Sequence, residues 1–389
     1  MAHDPTAPVA IRSVGRPSAY LVVSAIILGF AARLASAAVG DNYDMQSWWI
    51  VSEAVLRGEP VYSATHRYNY GPLWAYIIGA LRGVASYLGS DTITHLHLLL
   101  TALLSLVDLA LAAILYRVAS PWAGVVFFLN PISIAVTGYH IQFDNFAILL
   151  GLCAWAIFCR ASTVRSTLLA TILFGASLSL KHVFSLYIGW LPFITSVRSL
   201  RARTTFAVGA VCVFLASFSP WFAEPAAWSG IKLNVFGYVS TEGHSLTSFL
   251  SSIVPGLSPR LAFIVLTVIA GAAVARRRTL HSVAPYLYLI TLTALSSGMA
   301  RNYLAIPVVG VLLFRWSRFA VIYLCVATCC FFTVNSPLGV SEVIAPLLST
   351  ELITYELAQV TLVALLIAVC RAPDPLTGLA QRCGSPQKL

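Results

Sequence analysis

Apolar runs of roughly 15 to 23 residues recur from Ala19 to Cys370, separated by short polar or basic turns. As helices, runs of that length match the hydrocarbon thickness of a bilayer. The period-two alternation of a membrane barrel is absent. The pattern predicts an all-α polytopic membrane protein, with helices at about 19–39, 94–116, 121–138, 144–159, 166–180, 183–197, 204–221, 261–275, 282–300, 303–314, 319–335 and 353–370.

Charge tests that alternation. With the N-terminus inside, every second helix ends at a basic turn: Arg117; Arg160 and Arg165; Arg198, Arg201 and Arg203; Arg276, Arg277 and Arg278; Arg315 and Arg318; Arg371. All of these turns agree with the cytoplasmic excess of Lys and Arg. The expectation is therefore about twelve transmembrane helices. A cytoplasmic tail (1–18) precedes one membrane domain (19–370), and a second cytoplasmic tail (371–389) follows. The run from Ala19 exceeds the apolar core of a signal peptide and contains Arg33, so it reads as a retained first helix. Arg33 and Asp108 fall inside helices one and two, and their positions leave a direct pair open.

Two outer loops are long, at 40–93 and 222–260. The first carries amphipathic segments. Trp48–Leu56 is a plausible helix, and Pro72–Leu88 is an apolar stretch too short and too glycine-interrupted to cross a bilayer. Lying flat at the interface would suit its Trp74, Tyr76 and Tyr87. No internal repeat is evident, so inverted transporter halves find no support.

Composition narrows the class. The chain of 389 residues is 59% hydrophobic and only 10% charged, with mean hydropathy +0.84, far above a soluble domain. The net charge of +10 sits in interhelical turns and not on a nucleic-acid face. The cysteines show no metal or disulfide spacing and read as small apolar packing residues.

Against that background the outer-side polar residues stand out: Asp41, Asp44, Glu53, His66, Arg67, His140, Gln142, Asp144, Lys181, His182, Glu242, His244 and Arg301. A charge near hydrocarbon costs several kcal/mol without a partner or a watery cavity. Their convergence on one face predicts an outward polar cavity. A carboxylate there can deprotonate an acceptor hydroxyl, and Lys and Arg can hold a phosphate bearing leaving-group charge. A sugar on a polyprenyl phosphate fits both needs. The lipid phosphate departs as a stable anion, so no second, acid-form carboxyl is required, in contrast to glycoside hydrolysis. Plainer roles stand beside these. Asp41 or Asp44 fits a helix cap, Lys181 can snorkel to the interface, His182 fits a structural role, and His140 with Asp144 fits a helix-end pair.

In order, the chain reads: acidic first loop, Tyr70-Gly71-Pro72-Leu73, His140-Ile141-Gln142-Phe143-Asp144-Asn145, Leu180-Lys181-His182, then Arg301-Asn302-Tyr303. This resembles the GT-C superfamily of polyprenyl-phosphate-sugar-dependent glycosyltransferases. It is nearest in pattern to the dolichyl-phosphate-glucose glucosyltransferases, with a loop also similar to that of GPI and bacterial mannosyltransferases. The likeness covers about residues 40–190 well and the remainder in outline. It implies a GT-C fold and inverting transfer of a hexose, mannose or glucose, on the extracytoplasmic face. The partners implied are a polyprenyl-phosphate sugar donor and a lipid-linked or membrane-proximal acceptor. A multi-pass protein of a bacterial plasma membrane suits the chain better than one of the ER, with both termini cytoplasmic. The general base falls on Asp44 counting back from Gly58, or on Asp41 counting from Gly40. Lys181, Arg301 and His182 match donor-phosphate residues. His140, Gln142, Asp144, Arg67 and Tyr70 match substrate-binding positions. Gly71 and Asp144 depart from the family pattern, which has proline and asparagine there. No cofactor is implied, although Asp144 with Asp41 or Asp44 leaves a divalent metal open. The rival readings are a secondary transporter or lipid flippase, and a non-catalytic membrane scaffold.

Overall fold

The computed structural model describes residues 15–40, 42–238, 245–254, 256–315, 317–333 and 355–372. Among these the regular structure is all helical. Asp41, Glu242 and His244 lie outside the described residues.

Local sequence fixes many helix starts. Ser18 opens Ala19–Ala37, its hydroxyl accepting from the Leu21 amide at 3.2 Å. Thr92 does the same for Ile93–Val118. Thr163 and Ser166 form a reciprocal capping box at the head of Val164–Leu180. Each cap satisfies an amide that the first helical turn cannot.

Ala19–Ala37 and Ile93–Val118 are each long and apolar enough to cross a bilayer. At 1.5 Å per residue they run roughly 28 and 39 Å. Two bent pairs bring the number to four if each is one span. The other apolar helices, such as Pro259–Ala275 and Arg318–Thr333, are shorter. Ile27, Leu28, Val208, Ile269 and Val321 are exposed, so much of the helical surface is apolar outward.

Two expected helices are interrupted. The run 121–138 divides into Pro121–Phe128 and Pro131–Gly138 with a 47° bend. Pro131 has no amide hydrogen to continue the ladder. The carbonyl of Phe128 at the bend accepts from Arg33 Nη1 at 2.9 Å. The expected helix 183–197 is instead two 3-10 turns, His182–Phe184 and Leu186–Trp190, bent 110° from Val164–Leu180. Lys181 at the corner is extended, and the Val183 carbonyl accepts from the Tyr288 hydroxyl at 2.8 Å. Side chains thus take up carbonyls near both breaks, which is what makes a broken helix tolerable in an apolar interior.

The question left open for Arg33 and Asp108 is answered by a direct pair. Asp108 Oδ2 accepts from Arg33 Nη2 at 2.9 Å, and both side chains are fully buried. Ser133 and Thr137 add hydroxyl bonds to the same oxygen at 3.1 and 2.7 Å. Asn145 donates to Asp108 Oδ1 at 2.7 Å. This network ties the first two long helices to the start of the Asp144–Arg160 helix.

The Pro72–Tyr87 helix is present but differs in placement from the interfacial expectation. Tyr76 and Tyr87 are exposed, whereas Trp74 is fully buried. Trp74 stacks on Phe143 at 4.2 Å between centroids. Burying that much aromatic area outweighs an interfacial position. Gly71, just before this helix, passes so close to Ser179 that a methyl group would collide with the serine carbonyl. That close approach accounts for glycine where the resemblance expects proline.

Candidate functional site

Asp44 stands in the first turn of the helix Tyr43–Leu56, which begins earlier than the apolar pattern indicated. Asn42 takes the capping role: its Oδ1 accepts from the Met45 amide at 2.9 Å, and its amide nitrogen donates to the Tyr139 carbonyl. Capping therefore does not consume the Asp44 carboxylate, and a negative group at a helix N-terminus is favoured by the helix dipole.

Gln142 then links two charges. Its Nε2 donates to Asp44 Oδ2 at 2.8 Å, and its Oε1 accepts from Lys181 Nζ at 3.0 Å. Lys181 also donates to Asp144 Oδ2 at 2.7 Å. The result is a line, Asp44–Gln142–Lys181–Asp144, drawn from two separate helices, the loop that precedes the second of them, and the corner at residue 181. An amide suits the middle because it presents a donor to the carboxylate and an acceptor to the ammonium.

The backbone is strained where this line is set. Ile141, between His140 and Gln142, has φ of 50°. A β-branched residue in that region is a genuine outlier costing about 1–3 kcal/mol. Ile141 is fully buried, so packing holds it. Below lies an aromatic floor. Phe143 meets Tyr70 at 4.9 Å and Trp48 at 5.6 Å between centroids. Lys181 Nζ lies 5.1 Å from the centre of the Tyr70 ring. Burial, followed by the Asp44 carboxylate, pushes the Tyr70 hydroxyl well above its usual range, so it stays protonated.

Two adjoining chambers open around these groups. The larger, about 530 Å3, is lined by Asp44, Arg67, His140, Gln142 and Arg301. The smaller, about 290 Å3, is lined by Asp144, Lys181, His182 and Thr293. Asn69, Tyr70, Tyr238 and Tyr303 line both.

His140 Nδ1 is 4.0 Å from Asp44 Oδ2, beyond hydrogen-bond reach. Burial and then Arg301 lower its pKa from 6.5 to about 4, outweighing the carboxylate. The unfolded imidazole therefore binds more protons than the folded one between these values, and stability is lost as pH falls from about 6.5 through about 4. His140→Gln should reduce the drop in melting temperature between about pH 7 and about pH 4.5. An undiminished drop would show that His140 is not held neutral.

The structure thus divides the expected site residues. Asp44, Arg67, His140, Gln142 and Arg301 share the larger chamber, Asp144, Lys181 and His182 share the smaller, and Tyr70 belongs to both. Arg67 stacks over the Tyr43 ring at 3.7 Å. Glu53 lies on the surface paired with Arg57. Asp144 pairs with Lys181, so a helix-end pair with His140 is not its arrangement. Lys181 is buried at 7% exposure and does not snorkel. Among the described residues no three His, Cys, Asp or Glu side chains gather as a metal-binding set. Sequence reasoning gave no site role to Trp48, Phe143, Ile141 and Tyr303, although each lies in a segment it singled out. The density of aromatics in the first loop was the available signal for Trp48. Nothing local announces a positive φ at an isoleucine.

Neither a protein-family model, nor a curated protein, nor a solved structure matches this chain.

Proposed function

We propose that this protein is a membrane-embedded glycosyltransferase of the GT-C type. It moves a hexose, mannose or glucose, from a polyprenyl phosphate to a lipid-linked or membrane-proximal hydroxyl, with inversion. The observation that carries this reading is the larger chamber, where a carboxylate held by Gln142 shares one cavity with two arginines. Asp44 takes the proton of the acceptor hydroxyl while that oxygen bonds to the sugar C1. The C1–oxygen bond to phosphate breaks, and the lipid phosphate leaves with one more negative charge. Guanidinium groups bind that product-like charge more strongly than the starting diester, which is the condition for lowering the barrier. Arg301 and Arg67 are placed for this role.

In this reading the chain crosses the bilayer about twelve times and the chambers face the extracytoplasmic side. Asp144 opens the helix that Arg160 closes, and Lys181 follows the helix whose first turn holds Arg165. The site and the basic turns are therefore at opposite ends of both helices, as an outward site and a basic cytoplasmic face require.

A secondary transporter or lipid flippase is the second reading. The feature favouring it is the 110° break at Lys181, since transporters place polar groups at broken helices. The two separate in liposomes containing the purified protein and polyprenyl phosphate carrying radiolabelled mannose or glucose. Label appearing in a new glycolipid, after a membrane lipid extract is added, supports transfer. Label that changes leaflet but stays on its original lipid overturns transfer and supports transport.

A further inference from the structure

Three side chains that line the smaller chamber each carry a buried polar atom with no partner among the described residues: Asp144 Oδ1, Thr293 Oγ1 and His182 Nε2. Their side chains all line the same cavity of about 290 Å3. Asp144 and Thr293 are 1% and 2% exposed. A buried carboxylate oxygen left without a donor is costly, so the chemistry of the missing partner can be read from the atoms that want it.

Charge makes the first cut. Lys181 is the cation of this chamber, and Asp144 already offsets it at 2.7 Å. The larger chamber has two arginines against one carboxylate among its lining residues. An anion is better matched to the larger chamber. Hydrogen bonding makes the second cut. An ionised phosphodiester has acceptors and no hydrogen to give, so it leaves Asp144 Oδ1 unsatisfied and adds repulsion. A sugar hydroxyl gives a hydrogen to the carboxylate and trades either way with a threonine hydroxyl or an imidazole nitrogen. Size makes the third. The cavity is near the lower end of the ~300–1,000 Å3 range of small-molecule pockets, which suits one ring.

We infer that the smaller chamber takes the neutral sugar ring, which donates hydroxyl hydrogen to Asp144 Oδ1, while the anionic phosphate stays in the larger chamber with Arg67 and Arg301. This rests on the transferase reading and specifies its geometry. The reacting C1 sits beside Tyr70 and Tyr303, which line both chambers. Lys181 and His182, which the family resemblance assigns to phosphate, become sugar-side groups. Lys181 positions both Gln142 and Asp144.

The test is equilibrium binding to the full-length protein in detergent. It uses two probes, a polyprenyl phosphate carrying mannose or glucose and the same polyprenyl phosphate without sugar. Asp144→Asn and Thr293→Val should each weaken the sugar-bearing lipid, by roughly tenfold or more for the aspartate, since hydrogen bonds to charged groups are the strong ones. The sugarless lipid should bind Thr293→Val as it binds wild type. It should bind Asp144→Asn as well or more tightly, because that change frees the Lys181 charge. Thr293→Val keeps the side-chain shape and guards against a folding artefact in Asp144→Asn, with thermal melts as the check. Weakening of both lipids alike by Thr293→Val, or a gain for both lipids in Asp144→Asn, would place the phosphate in this chamber and overturn the inference while leaving transfer intact. Unchanged affinity for both would mean the orphan atoms hold only water, and would also overturn it. Wild type that binds neither lipid would instead remove the transferase reading beneath.

Discussion

Asp44→Asn should lower sugar transfer by ~10²–10⁴-fold, the contribution of a well-placed general base. The change is nearly isosteric. The Asn Oδ1 can still accept from Gln142 Nε2, which bonds Asp44 Oδ2 at 2.8 Å in the wild type, so the Gln142–Lys181 line should persist. What disappears is the capacity to take a proton. Because the acceptor hydroxyl must lose its proton as the C1 bond forms, the loss should fall on kcat and leave donor affinity near wild type. The measurement is transfer from radiolabelled polyprenyl-phosphate hexose, with a thermal melt to confirm folding. Asp41→Asn is the companion. If transfer survives Asp44→Asn but not Asp41→Asn, the base moves to residue 41. If it survives both, carboxylate base catalysis from this loop is wrong.

The second large effect is on stability. Arg33→Leu leaves the Asp108 carboxylate buried without its cation, and breaking such a pair costs about 3–5 kcal/mol. That is a large part of the roughly 5–15 kcal/mol that holds an ordinary domain together. Arg33 also donates to the carbonyl of Phe128 at the helix break, so the same change strips that carbonyl. The variant should express poorly and melt well below wild type. Replacing both partners, Arg33→Leu with Asp108→Leu, should recover part of the loss, because no lone charge remains. A double variant no better than Arg33→Leu would show that the hydroxyl and amide bonds of Ser133, Thr137 and Asn145 carry the stability instead. The pair also bears on the site. Asp108 holds Asn145, the neighbour of Asp144, so its loss should disturb the smaller chamber before the larger one.

Much of the helical architecture can be read without the structure, because its causes are local. Apolar runs between basic turns mark the helices, and Ser18, Thr92 and Thr163 mark starts by supplying an oxygen to an unpaired amide. The candidate site residues are visible for a related reason: in a chain with so few charges, a carboxylate or lysine at the end of an apolar run has little else to explain it. Chain order also shows that Asp144 opens one helix and Lys181 follows the end of the next. By these local signals Asp144 and Lys181 remain separate candidates, and it is the family resemblance that implies a substrate-binding role for one and a phosphate-binding role for the other.

Their pairing belongs to the tertiary structure. Which carboxylate Lys181 meets depends on how the helices Asp144–Arg160 and Val164–Leu180 pack, and residue spacing carries no such information. The break at residues 129–130 falls inside a run expected to be one helix; Pro131 supplies its local cause, and Arg33, far away in the chain, takes up the carbonyl of Phe128 there. A turn at Lys181 is expected from the sequence, but the replacement of the following helix by two 3-10 turns, with the Val183 carbonyl taken up by Tyr288, is not. Ile141 is the sharpest case. Its positive φ runs against its own preference, and only burial on all sides makes that conformation the cheaper one. Sequence determined where helices begin and which residues carry charge, because propensity and hydropathy act over a few residues. Folding decided which charges neutralise each other and which buried polar atoms are left without a partner beside a cavity, because those are sums over contacts between segments far apart in the chain.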